Sequence, residues 1–332
     1  MCGAVIVANE AAAIVHTMEK KEMKGPKRVI ARLRFRLALI LVLALLNLAQ
    51  AGCHRGQSDQ QRAAAEARPQ RIVSLSPSVT EILYGVGAWP QVIAVSQFCT
   101  YPDDVKNKPR VNGWDKTNLE QVMALKPDFV IGAAAQAPFL KDKLEGLGIR
   151  SLFLTDVTLA DIMVSISEIG RATGHEQEAA ALGAKTQSEI DAVRLAVANR
   201  PRAKVLCVVD RVPGTVRDLY TATRGSYLDE LITIAGGESI APPGDHGYGK
   251  IGKEAVLTLN PEVIIDMEQV PKGSLSEDPI AVWGELAEVK AVRDKRVYSM
   301  RDPSVIHPSQ FVGHTAQLFA HALHPESFPD AK

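Results

Sequence analysis

Two glutamates at matching places in a repeated segment are the first residues of this 332-residue chain whose spacing suggests chemistry. LEQVMALKPDFVIG (Leu119 to Gly132) and KEAVLTLNPEVIID (Lys253 to Asp266) align at an offset of 134, with Glu, Val, Leu, Pro and Ile identical at five of fourteen positions. Glu120 and Glu254 fall near a helix start in each copy, and paired surface carboxylates suit a partner of complementary charge. Thr117-x-x-Glu120 also reads as a capping box, whereas Ile251 stands at the equivalent place before Glu254 and offers no capping partner. The one G-x-G-x-x-G, at Gly247, Gly249 and Gly252, is separated from any preceding strand by Pro242 to His246. A dinucleotide fingerprint begins where a strand ends, so this one reads as a flexible cleft loop. His307, His314, His321 and His324 lie broadly along one helical face, a pattern of a packed or solvated surface rather than a metal site.

The motifs that open enzymatic readings are missing. There is no G-x-x-x-x-G-K-[ST], no G-x-S-x-G and no H-E-x-x-H, and no nucleophile and base form a recognisable constellation. A non-enzymatic protein is expected, with an exported enzyme of unidentified active site as the alternative of a different class. Of the four cysteines, Cys2 and Cys53 belong to processing. Cys99 and Cys207 are 108 residues apart with no C-x-x-C, which argues against a metal or thioredoxin-like site and leaves their pairing open.

Charge and hydropathy add a targeting signal. Lys+Arg and Asp+Glu are both 38, but residues 1 to 52 carry eight basic against three acidic residues, so the body is net −5. That balance provides no concentrated basic face for nucleic acid. A basic stretch from Met23 runs into the unbroken apolar Leu37 to Leu46, which at ten residues is too short to span a bilayer and fits a signal-peptide core. Two processing sites overlap: Ala49-Gln50-Ala51 as a peptidase signal, and Ala51-Gly52-Cys53 as the end of a lipobox in which Cys53 is lipidated. The expected start is Met23 or Met18. Residues 54 to 70 are polar and lack apolar periodicity, as in a solvated tether.

The elements that must position these residues alternate. Strands are expected at Arg71 to Ser74, Val92 to Val95, Phe129 to Ile131 and Ser151 to Leu154, with helices near Ser78 to Val86, Leu119 to Leu125 and Pro138 to Leu147. This order implies a parallel sheet flanked by helices. Leu159 to Asn199 has no strand candidate and reads as a long helix, broken only around Thr173-Gly174. Alternation then resumes with strands at Val205 to Val209, Val263 to Asp266 and Val297 to Ser299. Helices are expected near Ser226 to Ala235, Gly252 to Leu259, Pro279 to Val289 and Pro308 to Leu323. Pro127 and Pro261 stop a helix before a buried strand in each copy of the repeat. The organisation is an N-terminal extension and signal peptide (1–52), a tether (53–70), an α/β lobe (71–157), a helical linker (158–200) and a second α/β lobe (201–328), with a cleft where small ligands bind.

RIVSLSPSVTEILYGVG (Arg71 to Gly87), FCTYP (Phe98 to Pro102), VNGWDKTNLEQVMALKPDFVI and KEAVLTLNPEVII together resemble the substrate-binding proteins of iron-siderophore, haem and cobalamin ABC importers, closest to the cobalamin-binding members. The resemblance runs from Arg71 to Phe328. It implies two Rossmann-like lobes with parallel sheets joined by a long rigid helix, the class III periplasmic binding protein architecture, and a periplasmic or extracytoplasmic protein, lipid-anchored if Cys53 is modified. The implied partners are a small corrinoid or iron-chelate ligand and an ABC permease dimer with its ATPase. No resident cofactor or metal is implied; the ligand expected first is cobalamin, which carries its own cobalt, with haem or a ferric siderophore as alternatives.

By the same resemblance, Trp114 matches a cleft tryptophan, Phe98 stands at a tyrosine position, Tyr220 at a phenylalanine position and Tyr248 at a tryptophan position. Opposed aromatic faces suit a wide, flat, largely apolar disc with polar fringes. Asp302 matches an acidic cleft residue and Ser78 a small one that lets backbone approach. Val305-Ile306-His307 departs from the family pattern, which places an arginine there, and leaves His307 or His246 as alternatives for meeting a ligand's metal. Glu120 and Glu254 match glutamates that dock into arginine sockets on the permease.

Overall fold

The three inner strands of the first lobe are apolar and largely buried on both faces, as a parallel sheet requires, while its edge strands are partly exposed. The computed structural model describes residues 68–111, 117–244, 247–267 and 278–327; the signal peptide, Cys2, the tether as far as residue 67 with Cys53, Trp114 and His246 lie outside these. Strands β1 (Ile72–Ser74), β2 (Val92–Ser96), β3 (Arg110–Val111), β4 (Phe129–Ala133) and β5 (Arg150–Leu154) are all parallel, in the order β3-β2-β1-β4-β5. Along β4, Phe129 and Ile131 enter one core with Ile72, while Val130 enters another with Leu140 and Leu144, the alternation of a two-residue period.

Helix α1 (Pro77–Gly85) starts where Ser76 Oγ accepts a hydrogen bond from the Val79 amide at 3.3 Å, with proline in the first helical position. Helix α2 (Leu119–Ala124) is capped differently from the expectation. Asn118 Oδ1 accepts from the Gln121 amide at 3.2 Å, so the helix begins one residue later than a Thr117-Glu120 capping box needs. Glu120 falls in the second helical position, from which it cannot close that box. Helix α3 (Ala137–Gly146) covers the outer face.

The linker is divided at Gly174, as the break in its pattern implied. Helix α4 (Leu159–Thr173) opens with a Thr158/Asp161 capping box and closes on Gly174 at φ +78°, and α5 (Glu176–Ala196) follows. The two helices approach closely: a Cβ on Gly170 would lie 2.3 Å from that of Ala179.

The second lobe keeps a parallel core and adds an antiparallel ribbon. Its strands are β6 (Lys204–Asp210), β7 (Leu219–Ala222), β8 (Glu238–Ser239), β9 (Tyr248–Ile251), β10 (Val263–Asp266) and β11 (Val297–Ser299), in the order β11-β10-β6-β7-β9 with β8 beside the start of β6. β6, β10 and β11 are parallel, whereas β7 runs antiparallel to both β6 and β9. The segment expected as a flexible glycine-rich loop is therefore strand β9, held by backbone pairing to β7. Around the sheet are α6 (Tyr227–Ile234), α7 (Lys253–Leu259), α8 (Pro279–Trp283), α9 (Lys290–Arg293) and α10 (Val312–Leu323).

Two helices are shorter than expected. The one across Pro279 to Val289 ends at Trp283, whose fully buried indole donates to Asp266 Oδ2 at 2.8 Å, and the poor helix former Gly284 follows. The last helix starts at Val312 rather than Pro308 because His307, Ser309 and Gln310 are committed to hydrogen bonds with Glu81.

The sequence repeat is also a structural repeat. Lys126 (φ +48°) and Asn260 (φ +42°) both take the left-handed conformation just before Pro127 and Pro261. The next residue then clamps the entrance of the central strand. Asp128 accepts from the Gln70 and Arg71 amides at 2.8 and 3.0 Å, and Glu262 from the Lys204 amide at 3.1 Å. One apolar core, containing Ile72, Ile131, Val205 and Ile265 together with Ile166 and Ile190 of the linker and Phe319 of α10, runs through both lobes. Cys99 and Cys207 are buried and free, in different lobes.

Candidate ligand-binding cleft

In parallel α/β sheets, ligands meet the loops at the carboxyl ends of strands. In the first lobe those loops carry Ser78 after β1, Phe98 after β2, Gln136 after β4 and Asp156 after β5. Phe98 is 52% exposed, its amide donating to Ser96 Oγ at 3.2 Å. The buried Gln136 braces the strand ends, accepting from the Ala133 amide at 2.9 Å and donating to the Leu75 carbonyl at 3.3 Å.

The second lobe presents its aromatics on the ribbon. Tyr220 pairs with Lys250 and Ala222 with Tyr248, so Tyr220 and Tyr248 lie diagonally on one face of the two strands. Their exposures are 43% and 39%, unusual for large aromatic side chains with no surface to cover. Behind the ribbon, the buried Arg211 donates to Asp266 Oδ2 at 3.0 Å and to the Thr215 carbonyl at 3.1 Å. With the Trp283 indole on the same carboxylate, this ion pair fixes the ends of β6 and β10.

The lobes meet beneath these residues. The Tyr227 amide donates to the Val157 carbonyl at 2.7 Å, and its hydroxyl donates to the Ile306 carbonyl at 2.6 Å and lies 3.3 Å from the Tyr248 hydroxyl. Burial pushes the Tyr248 hydroxyl up to about 12, with the Asp156 carboxylate adding to the rise. Asp156 itself is pushed up to about 6, first by burial and then by the Asp161 carboxylate. Asp156 and Ser78 line a small cavity with Ser165 and Pro308. Asp156, beside Ser78 in this cavity, is a residue that sequence reasoning missed; the available signal was an acidic residue at the carboxyl end of the lobe's last strand.

Glu81 ties the lobes together alongside. It is 2% exposed, and its carboxylate meets His307 Nδ1 at 2.6 Å and Ser309 Oγ at 2.5 Å, while Gln310 Nε2 donates to its carbonyl at 2.9 Å. His307 thus has one ring nitrogen committed to a structural bond.

Asp302 lies elsewhere. It caps the turn at Pro303–Ile306, accepting from the Ser304 amide at 2.9 Å and hydroxyl at 2.8 Å. It lines a concavity of about 560 Å³ between the lobes, with Tyr101 and Phe311 on the walls and Lys185 and Glu189 of α5 at its side. Glu120 and Glu254 are both exposed and both stand second in their helices, α7 being capped by Gly252 without a side-chain bond. Among the described residues no cluster of three or more His, Cys, Asp or Glu is arranged to hold a metal, and no helix is long and apolar enough to cross a membrane.

Comparison with known proteins agrees with this architecture. A vitamin B12-binding protein of Pectobacterium carotovorum subsp. carotovorum is 30% identical over 205 residues, 61% of this chain and 72% of that protein. An uncharacterised ABC transporter substrate-binding lipoprotein of Bacillus subtilis is 26% identical over 281 residues, 82% of this chain and 86% of the relative. The crystal structure of a periplasmic haem-binding protein from Pseudomonas aeruginosa superposes with a TM-score of 0.67 at 26% identity, covering 80% of this chain and 94% of that one. Two α/β lobes, a helical linker and an interlobe cleft are the class III plan of these substrate-binding proteins, which are not enzymes. The family described as periplasmic binding protein matches residues 72–303, and the chain belongs to that family.

Proposed function

We propose that this protein is the exported solute-binding component of an ABC importer, capturing a cobalamin-type corrinoid in the interlobe cleft and delivering it to a membrane permease. The observation that carries this reading is the pair Tyr220 and Tyr248, exposed on one face of the second lobe's ribbon while Phe98 stands exposed on the strand ends of the first lobe. Uncovered aromatic faces on both lobes suit a wide, flat macrocycle, which burial between the lobes would shield from water. The vitamin B12-binding relative supports the corrinoid as first choice. Trp114 belongs to the same proposed site, so cobalamin should quench tryptophan fluorescence, and Trp114→Ala should weaken binding by about 1–3 kcal/mol. Unchanged affinity in the folded variant would remove Trp114 from the site.

Haem is the second reading. Val305-Ile306-His307 replaces the arginine expected of cobalamin-binding members, and the Pseudomonas aeruginosa relative binds haem. Direct titration with cyanocobalamin, haemin and a ferric siderophore separates these ligands.

Docking falls to Glu120 and Glu254, both exposed and both second in their helices, which give the permease two matching carboxylates, one per lobe. Charge reversal at both should leave ligand affinity unchanged and abolish association with the transporter, since like charges across an interface cost several kcal/mol. Normal transport by the double variant would sink this assignment. Export through the signal peptide and lipidation at Cys53 complete the proposal, and intact mass of the membrane fraction distinguishes a lipidated Cys53 from a chain beginning at Gly52.

A further inference from the structure

The ribbon that carries Tyr220 and Tyr248 also carries a cation. Leu219 and Thr221 turn inward and are fully buried, so Tyr220 stands on the outward face, and Lys250, directly opposite it in the β7–β9 register, stands there too. Lys250 Nζ lies 5.9 Å from the centre of the Tyr220 ring and donates to Asp218 Oδ1 at 2.6 Å. Both side chains of this ion pair are more than half exposed, and such pairs contribute little to stability, so the ammonium can exchange Asp218 for another oxyanion at small cost. The neighbouring charges give the ribbon a polarity. Asp210, at the end of β6, pairs with Tyr220 from the other side, so one row across three adjacent strands runs carboxylate, aromatic ring, ammonium. Arg217, next to Asp218, adds positive potential at the lysine end. The other residues on the outward face of the ribbon are Ala222 and Tyr248, so Lys250 is the one cation on it. Lys253, the next lysine in the chain, is held by Glu285.

We propose that Lys250 is an anion subsite of the cleft: with a macrocycle lying against Tyr220 and Tyr248, its ammonium leaves Asp218 and binds an oxyanion on the ligand's rim, while Asp210 repels anions from the opposite edge and so sets which way round the ligand sits. This rests on the reading of the ribbon as one wall of the ligand cleft. The oxyanion is the phosphodiester of the nucleotide loop in cobalamin and a propionate carboxylate in haem, and either would accept a charge-assisted hydrogen bond from the ammonium. Asp218 is then a competitor that holds the lysine over the ring while the cleft is empty. The two members of the pair therefore act on binding with opposite sign: loss of the lysine weakens it and loss of the aspartate strengthens it. An ion pair that only stiffened the ribbon would give the same sign at both.

The test is calorimetric titration of the processed chain with cyanocobalamin, with haemin and with dicyanocobinamide, a corrinoid that lacks the nucleotide loop and its phosphodiester. The proteins are the wild type, Lys250→Gln, Lys250→Arg, Asp218→Asn and Tyr220→Ala. Lys250→Gln should bind cyanocobalamin about tenfold more weakly, the loss of a hydrogen bond between charged groups, and its affinity should depend less on salt than that of the wild type. Lys250→Arg should retain affinity, and Asp218→Asn should gain about two- to fivefold as the competing exposed pair is removed. Dicyanocobinamide should bind the wild type and Lys250→Gln alike. A tenfold loss confined to haemin would support the subsite with a carboxylate as its oxyanion in place of the phosphodiester. Wild-type affinity for both anionic ligands in Lys250→Gln, an equal loss for dicyanocobinamide, or losses of the same sign in Lys250→Gln and Asp218→Asn would overturn the inference while leaving the cleft reading intact. Wild-type affinity in Tyr220→Ala, or no binding of any of the three ligands by the wild type, would instead overturn the reading of the ribbon as a cleft wall, and this inference with it.

Discussion

The two lobes share one motif and diverge in another. Each has a short helix, a left-handed residue, a proline and a buried strand whose preceding acidic side chain clamps the central strand's entrance. This shared unit carries Glu120 in one copy and Glu254 in the other. The divergence lies at the opposite ends of the strands. The first lobe remains fully parallel and is braced by the neutral amide of Gln136, whereas the second adds the β7–β9 ribbon and is braced by the buried Arg211–Asp266 pair. What is repeated faces the proposed permease, which must grip both lobes alike. What differs faces the cleft in which a ligand with two unlike sides is proposed to bind.

The largest expected effect tests the difference in bracing. Arg211→Met should destabilise the protein by about 3–5 kcal/mol in urea unfolding, because it leaves the Asp266 carboxylate without its guanidinium. Gln136→Ala in the first lobe should cost about 1–3 kcal/mol, the loss of neutral hydrogen bonds around buried backbone groups. Equal losses would erase the distinction between a charged and a neutral brace.

Next comes Asp156. Its carboxyl is raised from 3.8 to about 6 in the fold, so folding favours the protonated form. Its effect on unliganded stability is neutral below the ordinary value and becomes unfavourable as pH rises through the interval between the two. Asp156→Asn should therefore leave stability near wild type at pH 3.5 and raise it by about 2–3 kcal/mol at pH 8. A gain independent of pH would show that the carboxyl is not held in its protonated form by the fold.

Tyr220→Ala and Tyr248→Ala should each weaken corrinoid binding by about 1–3 kcal/mol. Tyr248→Ala should also loosen the lobe junction, because its hydroxyl meets that of Tyr227. A loss of affinity at Phe98 with none at the ribbon would place the ligand on the first lobe alone.

The smallest effects test the shared motif. Glu120→Lys and Glu254→Lys should each cost about 0.3–1 kcal/mol of stability, a cation at a helix N-terminus. The two costs should be equal, because Asn118 rather than Thr117 and Glu120 caps the first helix. A distinctly larger loss for Glu120→Lys would restore a capping role to it.

Much of this was legible in the sequence because it is written in hydrophobic runs and prolines. The parallel strands, the repeat with its Pro127 and Pro261 stops and the break at Gly174 all follow from local chemistry. The ribbon was not legible. LYTA is short, and YGKI is interrupted by glycine and half exposed, so backbone pairing rather than an apolar pattern makes them strands. The start of α10 was hidden for another reason: His307, Ser309 and Gln310 are drawn to Glu81, more than two hundred positions away in the chain. In the candidate site, only the fold revealed that Asp156 lines a small cavity with Ser78 and that Asp302 lines a separate concavity.

The central claim, that the interlobe cleft captures a corrinoid, is tested most directly by isothermal titration of cyanocobalamin, haemin and a ferric siderophore into the purified processed chain. The account predicts saturable one-to-one binding of cyanocobalamin, weakened by Tyr220→Ala and Tyr248→Ala and stronger than that of either iron compound. Tight binding of haemin or the siderophore with none of cyanocobalamin, or wild-type affinity for cyanocobalamin in both tyrosine variants, would contradict it.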